Sequence, residues 1–260
     1  MTRLDDAHAE MMHDDSNDAL RLAFYSQLAD AELFVLLDGD ADPEQLTPRL
    51  FDLEDGQVVL AFDLEERLTA FVGGPAAYAA LPGRVIASQL SGQGVGLGLN
   101  VGDTPSSIIL PAEVMDWLTV TLGTKPAQVA AAAQGFSYPW GVPETVTQRL
   151  LDKLGSHPGL AEAVLLAEVV YQGGRRGHIL AVLGADAGAE LALSGAVSEA
   201  LVFSGLDMAE MDVVFLETGD PRTKTIAEVA LRLDLPKPLP QTPPTIAVPG
   251  MNPEKPPILR

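Results

Sequence analysis

The stretch Arg49-Leu-Phe-Asp-Leu-Glu-Asp-Gly-Gln-Val-Val-Leu-Ala-Phe62 decides the fold of the first half of the chain. Phe51 and Leu53 alternate with acidic residues, which is typical of a strand with one buried face. Asp55-Gly56 supplies two residues that tolerate positive φ, and it predicts the turn of a β-hairpin. Val58 to Phe62 is apolar at every position, which predicts a central strand buried on both faces. We therefore expect a hairpin over residues 49–62, with its second strand inside a sheet.

The residues before the hairpin predict a helix and a strand. Asp15, Ser16 and Asn17 are good N-cap candidates, and Leu20, Phe24 and Leu28 then recur at every fourth position, as the apolar stripe of a helix does. The apolar run at 32–37 predicts a buried strand.

The residues after the hairpin complete a first domain. Asp63 and Glu66 have capping-box spacing and predict a helix that ends at Gly73-Gly74, and Pro75 favours a second short helix. Residues 84–90 fit a helix or a strand. Strands are expected at 95–101 and 106–110, and a helix from Pro111. The order over 17–122 reads α-β-β-β-α-β-β-α, so the sequence predicts an α+β domain with helices packed on a mainly antiparallel sheet.

The second half repeats this class. The sequence predicts a second α+β domain over 143–235. Its expected elements are a helix after Pro143, strands at 160–171 and 177–183, a helix within 186–203, a strand at 212–217 and a helix at 223–233. Residues 123–142 are expected to be a linker between the domains. Residues 1–16 are expected to be an acidic, flexible N-terminal segment that contains His8 and His13.

The chain ends in a proline-rich tail. Residues 236–260 hold 9 of the 20 prolines, which excludes a helix or an interior strand. We expect an extended segment of polyproline II character that wraps over its own domains or over a second subunit.

Charge and composition exclude several classes of function. The formal net charge is −20, and residues 1–66 alone hold 18 acidic and 3 basic residues. Such acidity argues against binding to nucleic acid or to an anionic membrane surface, because both need clustered Lys and Arg. The first residues have no apolar signal region and no apolar run is long enough to span a membrane, so the sequence predicts a cytoplasmic protein.

The motifs of common chemistries are missing from the sequence. There is no cysteine, no Gly-x-x-x-x-Gly-Lys phosphate loop and no Gly-x-Ser-x-Gly elbow, and no two histidines have the spacing of metal ligands. We therefore predict no catalytic residue, no metal site and no cofactor. Two ligand contacts remain candidates. Gly94, Gly96, Gly98 and Asn100 lie in a glycine-alternating strand that serves either close packing or a ligand. Arg175 and Arg176 lie at a predicted hairpin tip and are either solvated or bind a carboxylate or phosphate.

The order of several apolar motifs resembles a known family. These motifs are Leu20-Arg-Leu-Ala-Phe-Tyr25, Ala31-Glu-Leu-Phe-Val35, Val58-Val-Leu-Ala-Phe62, Ala80-Leu-Pro-Gly83, Gly96-Leu-Gly-Leu-Asn100 and Ile108-Ile-Leu-Pro111. Together they resemble the N-terminal domain of the SseB family, named for an enhanced serine sensitivity phenotype. Tyr138-Pro139, Leu150-Leu-Asp-Lys-Leu154 and Val164-Leu-Leu-Ala167 resemble the C-terminal domain of that family. The sequence departs from the family pattern at Asp63 and Val101, and the family offers no agreed catalytic residues to transfer.

The sequence thus favours a cytoplasmic, non-enzymatic binding or regulatory protein of the SseB type. The expected partner is another protein, with a homodimer as one form of it. The alternative is a sensor or enzyme for a small amino-acid-like molecule, with a site in the Gly92–Asn100 region or between the two domains.

Overall fold

Two β-sheets, each packed with helices, make up the structure. This computed structural model describes residues 1–39, 46–54, 56–123, 133–156, 158–186, 188–205, 211–217 and 219–236. Both sheets are mixed but mostly antiparallel, so the predicted α+β class is confirmed. The proline-rich tail lies outside the described residues from position 237 onward.

The first half contributes five helices and six strands within the described residues. The helices are α1 (Arg3–His13), α2 (Asp18–Asp30), α3 (Glu65–Val72), α4 (Gly83–Leu90) and α5 (Ala112–Gly123); the strands are β1 (Glu32–Leu36), β2 (Leu50–Leu53), β3 (Gly56–Phe62), β4 (Tyr78–Pro82), β5 (Val95–Leu99) and β6 (Ile108–Leu110).

Strand β3 is the centre of the first sheet, as its apolar sequence predicts. The strand order is β4-β1-β3-β5-β6, and β2 pairs with the beginning of β3. β3 and β5 run parallel, whereas the other neighbouring pairs are antiparallel. Val59 and Ala61 face α1, α2, α4 and α5, while Val58, Leu60 and Phe62 face the side that carries α3. Both faces of β3 are therefore buried.

Three expectations for the first half are wrong. The first residues are not flexible, because α1 packs on the core through Leu4, Ala7 and Met11, and His8 is buried beside Phe24. Leu64, and not Asp63, is the N-cap of α3, since the Asp63 carboxylate pairs with Arg67 instead.

The third correction concerns Pro75, which starts no helix. The chain continues into strand β4, which pairs with β1 along its whole length. The stretch 84–90, which the sequence left open, is helical as part of α4. Of the hairpin turn, Asp55 lies outside the described residues, and Gly56 has a φ of +134°.

The second half contributes three helices and five strands within the described residues. The helices are α6 (Glu144–Gly155), α7 (Glu190–Val202) and α8 (Pro221–Ala227); the strands are β7 (Ala133–Ser137), β8 (Ala163–Tyr171), β9 (Arg176–Leu183), β10 (Met211–Leu216) and β11 (Leu231–Asp234).

Strand β8 organises the second sheet. The order is β10-β9-β8-β11, and β7 pairs with the second part of β8. β9 and β10 run parallel, and α6 and α7 pack on one face of the sheet. The predicted helix over 223–233 is wrong in its second part, because α8 ends at Ala227 and the alternating Leu231 and Leu233 form β11. β7 lies within the segment that the sequence predicts as a linker.

The two halves contact each other directly. Phe203, the residue that follows α7, is buried in the core of the first half and lies edge-on to Trp117 of α5. The α5 helix therefore has one side against its own sheet and one side towards the second half.

Candidate functional site

A groove lies between helices α2 and α5 on the surface of the first half. Its volume is about 460 Å³, a size typical of sites that hold small ligands or side chains of a partner. We call it the α2–α5 groove. Its lining residues are Asp18, Arg21, Leu22 and Tyr25 from α2, and Glu113, Val114 and Trp117 from α5.

Helical periodicity places these lining residues together. Leu22 and Tyr25 follow Asp18 at intervals of four and three residues, which puts all three on one face of α2. Phe24 and Leu28, on the adjoining face of α2, are fully buried in the core, and Leu22 and Tyr25 pack against the same core from the groove side. Leu22 and Tyr25 therefore belong both to the edge of the core and to the groove.

Aromatic side chains form the floor of the groove. The ring centroids of Tyr25 and Trp117 are 5.2 Å apart, and those of Trp117 and Phe203 are 6.2 Å apart. Trp117 is 38% exposed, and Val120, one turn further along α5, is 72% exposed. A tryptophan held on both sides by aromatic rings and still open to solvent is the type of residue that dominates binding energy at protein interfaces.

The charged residues of the groove are mostly acidic. Arg21 Nη2 donates to Asp18 Oδ1 at 2.7 Å, so the one basic lining residue is already neutralised by a carboxylate. Glu113 stands exposed in the first turn of α5. Burial raises the pKa of Tyr25 although Arg21 lowers it, so the phenol is neutral at physiological pH. Because Arg21 and Asp18 neutralise each other, the groove combines apolar lining residues with one net negative charge, that of Glu113.

A hydrogen-bonded contact fixes α5 as a wall of the groove. Asp116 accepts from Ser91 Oγ at 2.9 Å and from the backbone N–H of Gly92 at 2.7 Å. These residues follow the end of α4, so the first turns of α5 are tied to the neighbouring helix. Both hydrogen bonds go to Asp116 Oδ1, so this oxygen is not available to a ligand in the groove.

A cluster of four charged residues fixes the other end of α2 against the second half. We call Asp30, Arg84, Lys153 and Glu199 the inter-half charge cluster. Lys153 Nζ lies 2.6 Å from Asp30 Oδ2 and 2.7 Å from Glu199 Oε2, and Arg84 pairs with Glu199 at 2.9 Å and also with Asp30. Burial lowers the pKa of Arg84, but its bonds to the two carboxylates raise it overall. The cluster joins α2 and α4 to α6 and α7.

The glycines of the predicted ligand strand lie in a tightly packed place. A Cβ atom on Gly96 would stand 2.4 Å from the carbonyl oxygen of Leu110, and one on Gly98 would stand 2.5 Å from Leu60 Cδ2. Both glycines are buried in β5. Gly94 lies in the preceding turn with a φ of +69°. Close packing thus accounts for Gly96 and Gly98, and backbone conformation accounts for Gly94.

Asn100 belongs to a buried polar network that involves α1. Its Oδ1 accepts from the backbone N–H of Asp63 at 3.0 Å, and its Nδ2 donates to Ser106 Oγ at 2.8 Å. Ser106 Oγ donates in turn to Asp5 Oδ1 at 2.6 Å. Asn100 has a φ of +48°, a conformation that asparagine tolerates better than most residues. Both ends of its side-chain amide are therefore used inside the protein.

Asp5 is the centre of that network. Arg67 donates to both of its carboxylate oxygens, at 2.8 and 2.6 Å, and the backbone N–H of Thr2 donates at 2.8 Å. Hydrogen bonds from Arg67 hold the pKa of the Asp5 carboxyl well below its usual value. The network thus joins the start of α1 to α3 and to the loop after β5.

Arg175 and Arg176 lie far along the chain from the glycine strand and on the other sheet. Arg175 Nη2 lies 3.0 Å from Asp212 Oδ2, and its guanidinium stands 4.1 Å from the ring centroid of Tyr171. Arg176 Nε lies 3.3 Å from Glu168 Oε1. Burial raises the pKa of Tyr171, and its bond to Asp212 raises it further. The structure thus does not bring the two predicted ligand-binding groups into one site.

The search for known relatives identifies the first half. The family model of the SseB protein N-terminal domain matches residues 4–117. This region belongs to the SseB family. All seven residues that line the α2–α5 groove lie in the matched SseB domain, whereas Val120 and Phe203 lie beyond it. No curated protein and no solved structure matches the chain significantly. The resemblance of the second half to the C-terminal domain of the family stays a prediction.

The described residues offer neither a metal site nor a membrane-spanning helix. Among the residues that the structure describes, no group of three or more His, Cys, Asp or Glu side chains is arranged to hold a metal ion. Within the same residues, no helix combines the length and the apolar character needed to cross a bilayer.

Proposed function

We propose that the SseB domain is a non-enzymatic, cytoplasmic protein-binding module, and that its α2–α5 groove holds a basic amphipathic segment of a partner protein. The observation that carries the proposal is Trp117, which is 38% exposed between Tyr25 and Phe203 at the floor of the groove. Energetically important interface residues are commonly Trp and Tyr seated near the centre of a binding surface.

The shape of the groove supports an amphipathic helix as the bound segment. Two neighbouring helices with apolar residues between them form a channel into which the apolar face of a third helix fits. Leu22 and Val114 stand beside the aromatic floor and provide aliphatic contacts on both walls. Helical residues spaced at i, i+3 and i+4 would meet this channel with one face.

Charge supports a basic partner. At the groove Arg21 and Asp18 neutralise each other, Glu113 is left as a net negative charge, and the chain carries a formal net charge of −20. Opposite charge speeds encounter and excludes acidic competitors more than it adds affinity. The binding should therefore weaken as salt rises, because exposed charges are screened over about 8 Å at physiological ionic strength.

The small-molecule alternative has less support. Gly96 and Gly98 have neighbours that a Cβ would strike, and both ends of the Asn100 amide are bonded within the protein. The region between the halves is occupied by Phe203 and by the inter-half charge cluster.

The test is a binding titration with a defined probe. The probe is a synthetic leucine–lysine peptide with leucines at helical spacing, and its control has glutamate in place of every lysine. Calorimetry with the full chain should give saturable binding of the basic peptide and none of the acidic one. Trp117→Ala should weaken binding about 30-fold or more, which corresponds to the roughly 2 kcal/mol or more of a hot-spot residue.

A matched pair of charge reversals keeps the test independent of folding. Glu113→Lys lies at the groove in the first turn of α5, and Glu190→Lys occupies the same place in α7, away from the groove. The first variant should weaken binding and the second should not. Equal effects of the two variants would contradict the proposal, as would a peptide that binds the Trp117→Ala variant unchanged. A large thermal shift with a single amino acid, and none with the peptide, would support the small-molecule alternative.

A further inference from the structure

A second pair of exposed aromatic residues lies just before helix α6. The ring centroids of Tyr138 and Trp140 are 4.7 Å apart, and the rings are tilted by 54°. Trp140 is 78% exposed and Tyr138 is 41% exposed. This pair belongs to the second half and is not part of the α2–α5 groove, so nothing in the proposed function requires it.

The backbone holds this aromatic pair in a fixed arrangement. Pro139, between the two aromatic residues, is buried, and the backbone N–H of Trp140 donates to the carbonyl of Tyr138 at 2.8 Å. Strand β7 ends directly before the pair at Ser137, and α6 begins at Glu144, four residues after Trp140. The two rings therefore project from an anchored turn between a strand and a helix.

Exposed Tyr and Trp rings in a fixed pair are suited to one kind of ligand in particular. Proline-rich segments in the polyproline II conformation bind to surfaces lined by such rings, because the proline rings are flat, apolar and already ordered. Residues 237–260 of the chain itself are proline-rich, since they contain eight prolines.

The charge of residues 237–260 is opposite in sign to that of the rest of the chain. Residues 237–260 carry the basic residues Lys237, Lys255 and Arg260 and the single acidic residue Glu254. The chain as a whole has a formal net charge of −20. The tail is therefore attracted to the body of its own molecule.

The distance along α6 decides which prolines reach the aromatic pair. Pro236 lies against Gly155, the last residue of α6, where a glycine Cβ would stand 3.3 Å from Pro236 Cγ. The aromatic pair lies at the other end of this 12-residue helix, a distance of about 18 Å at 1.5 Å per residue. A polyproline II segment advances about 3.1 Å per residue, so about six residues beyond Pro236 cover it. Six residues beyond Pro236 is position 242, which lies within Pro240-Gln-Thr-Pro-Pro244.

We propose that Pro240-Gln-Thr-Pro-Pro244 of the same chain binds to Tyr138 and Trp140. The tail runs back along α6 from Pro236, and its prolines pack against the two exposed rings. Because the tail is tethered, its effective concentration at the rings is in the millimolar range, so a contact too weak for a separate peptide still forms.

Tryptophan fluorescence tests this proposal on the full chain. The chain has two tryptophans, so Trp117→Phe leaves Trp140 as the only one. In this background the prolines at 240, 243 and 244 are replaced by alanine in one variant. The prolines at 253, 256 and 257 are replaced in a matched control. Acrylamide quenching then reports how far solvent reaches Trp140.

The first variant should raise the quenching constant about twofold. If the Kd of the contact is close to the effective concentration of about 1 mM, the tail covers Trp140 about half of the time, and loss of the contact doubles the exposed fraction. The control should behave like the unchanged tail, and quenching should not depend on protein concentration. A synthetic peptide of residues 236–246 should restore protection of the first variant only at millimolar concentration. Equal quenching in all three proteins would overturn the proposal. Protection that grows with protein concentration would also overturn it, because a second copy would then supply the tail.

Discussion

Replacement of Asp5 by asparagine tests whether the polar network holds α1 in place. Asp5 is fully buried and accepts two hydrogen bonds from Arg67, one from Ser106 and one from the backbone of Thr2. The substitution keeps the size of the side chain and removes its charge. Arg67 then remains in the interior with a single carboxylate partner, Asp63, at 2.9 Å.

The size of the effect follows from this geometry. Removal of one partner from a buried ion pair costs about 3–5 kcal/mol, because the other charge stays buried without compensation. Since Arg67 retains Asp63, we expect the lower end of this range, about 3 kcal/mol in the free energy of unfolding. Such a loss is a large part of the roughly 5–15 kcal/mol that stabilises a typical domain.

Urea denaturation followed by circular dichroism measures this loss. The matched control is Asp6→Asn, which removes the same charge from the neighbouring exposed position of α1. It should change the free energy of unfolding by less than about 0.5 kcal/mol. A double-mutant cycle with Arg67→Met should give a coupling energy above about 1 kcal/mol, because the two side chains are in direct contact. Equal effects of Asp5→Asn and Asp6→Asn, or strict additivity with Arg67→Met, would refute the reasoning.

Three further predictions concern stability. Hydrogen bonds from Arg67 lower the folded-state pKa of Asp5, so the stabilisation that the Asp5 carboxylate gives is complete above its unfolded pKa of about 3.9 and is lost as pH falls below that value. In an acid titration, Asp5→Asn should therefore lose less of its free energy of unfolding than the unchanged protein does. An equally steep loss in both proteins would contradict this. Gly96→Ala should destabilise the protein by roughly 1–3 kcal/mol, because the new Cβ would strike the backbone at Leu110. Gly195→Ala, in α7 with open space around it, should stabilise the protein by about 0.5–1 kcal/mol. Urea denaturation that ranks the two variants in the opposite order would contradict this prediction. Lys153→Met removes the buried cation between Asp30 and Glu199 and should broaden the thermal transition as the halves uncouple; a transition as sharp as before would speak against the inter-half charge cluster as the link.

Much of the fold follows from local patterns in the sequence. The two-sided apolar run of β3 is found where the sequence predicts it, and α2 uses Asn17 out of the three N-cap candidates Asp15, Ser16 and Asn17. These features depend on neighbouring residues alone, which is why a single sequence suffices to find them. The expectation for residues 1–16 was wrong although a signal exists, since Thr2 and Asp5 form a capping box and Leu4, Ala7 and Met11 share one helical face.

The error over 223–233 has a similar cause. Leu231, Leu233 and Leu235 alternate with Arg and Asp, which is the period of a strand, but this short run follows directly after helical spacing. Pairing with the beginning of β8 decides the conformation of Leu231–Asp234. The sequence alone does not show this partner, which lies more than sixty residues earlier in the chain.

The candidate site depends even more on tertiary structure. In the helix expected from Pro111, Trp117 follows Val114 by three residues, and an apolar stripe of this kind usually packs on a core. The groove arises because α5 packs next to α2, and because Phe203 from the second half supports the tryptophan from one side. Neither of these contacts can be predicted from the local sequence. The glycine strand, in contrast, is easy to notice in the sequence, but its glycines serve close packing.

Hydrogen exchange of the full chain, with and without the basic leucine–lysine peptide, tests the central claim most directly. We predict that the peptide slows exchange of backbone amides in residues 18–25 of α2 and 113–122 of α5, and leaves the β8–β9 hairpin that carries Arg175 and Arg176 unchanged. Protection confined to residues 92–100 or to that hairpin, or no protection at saturating peptide, would contradict the assignment of the groove as the binding surface.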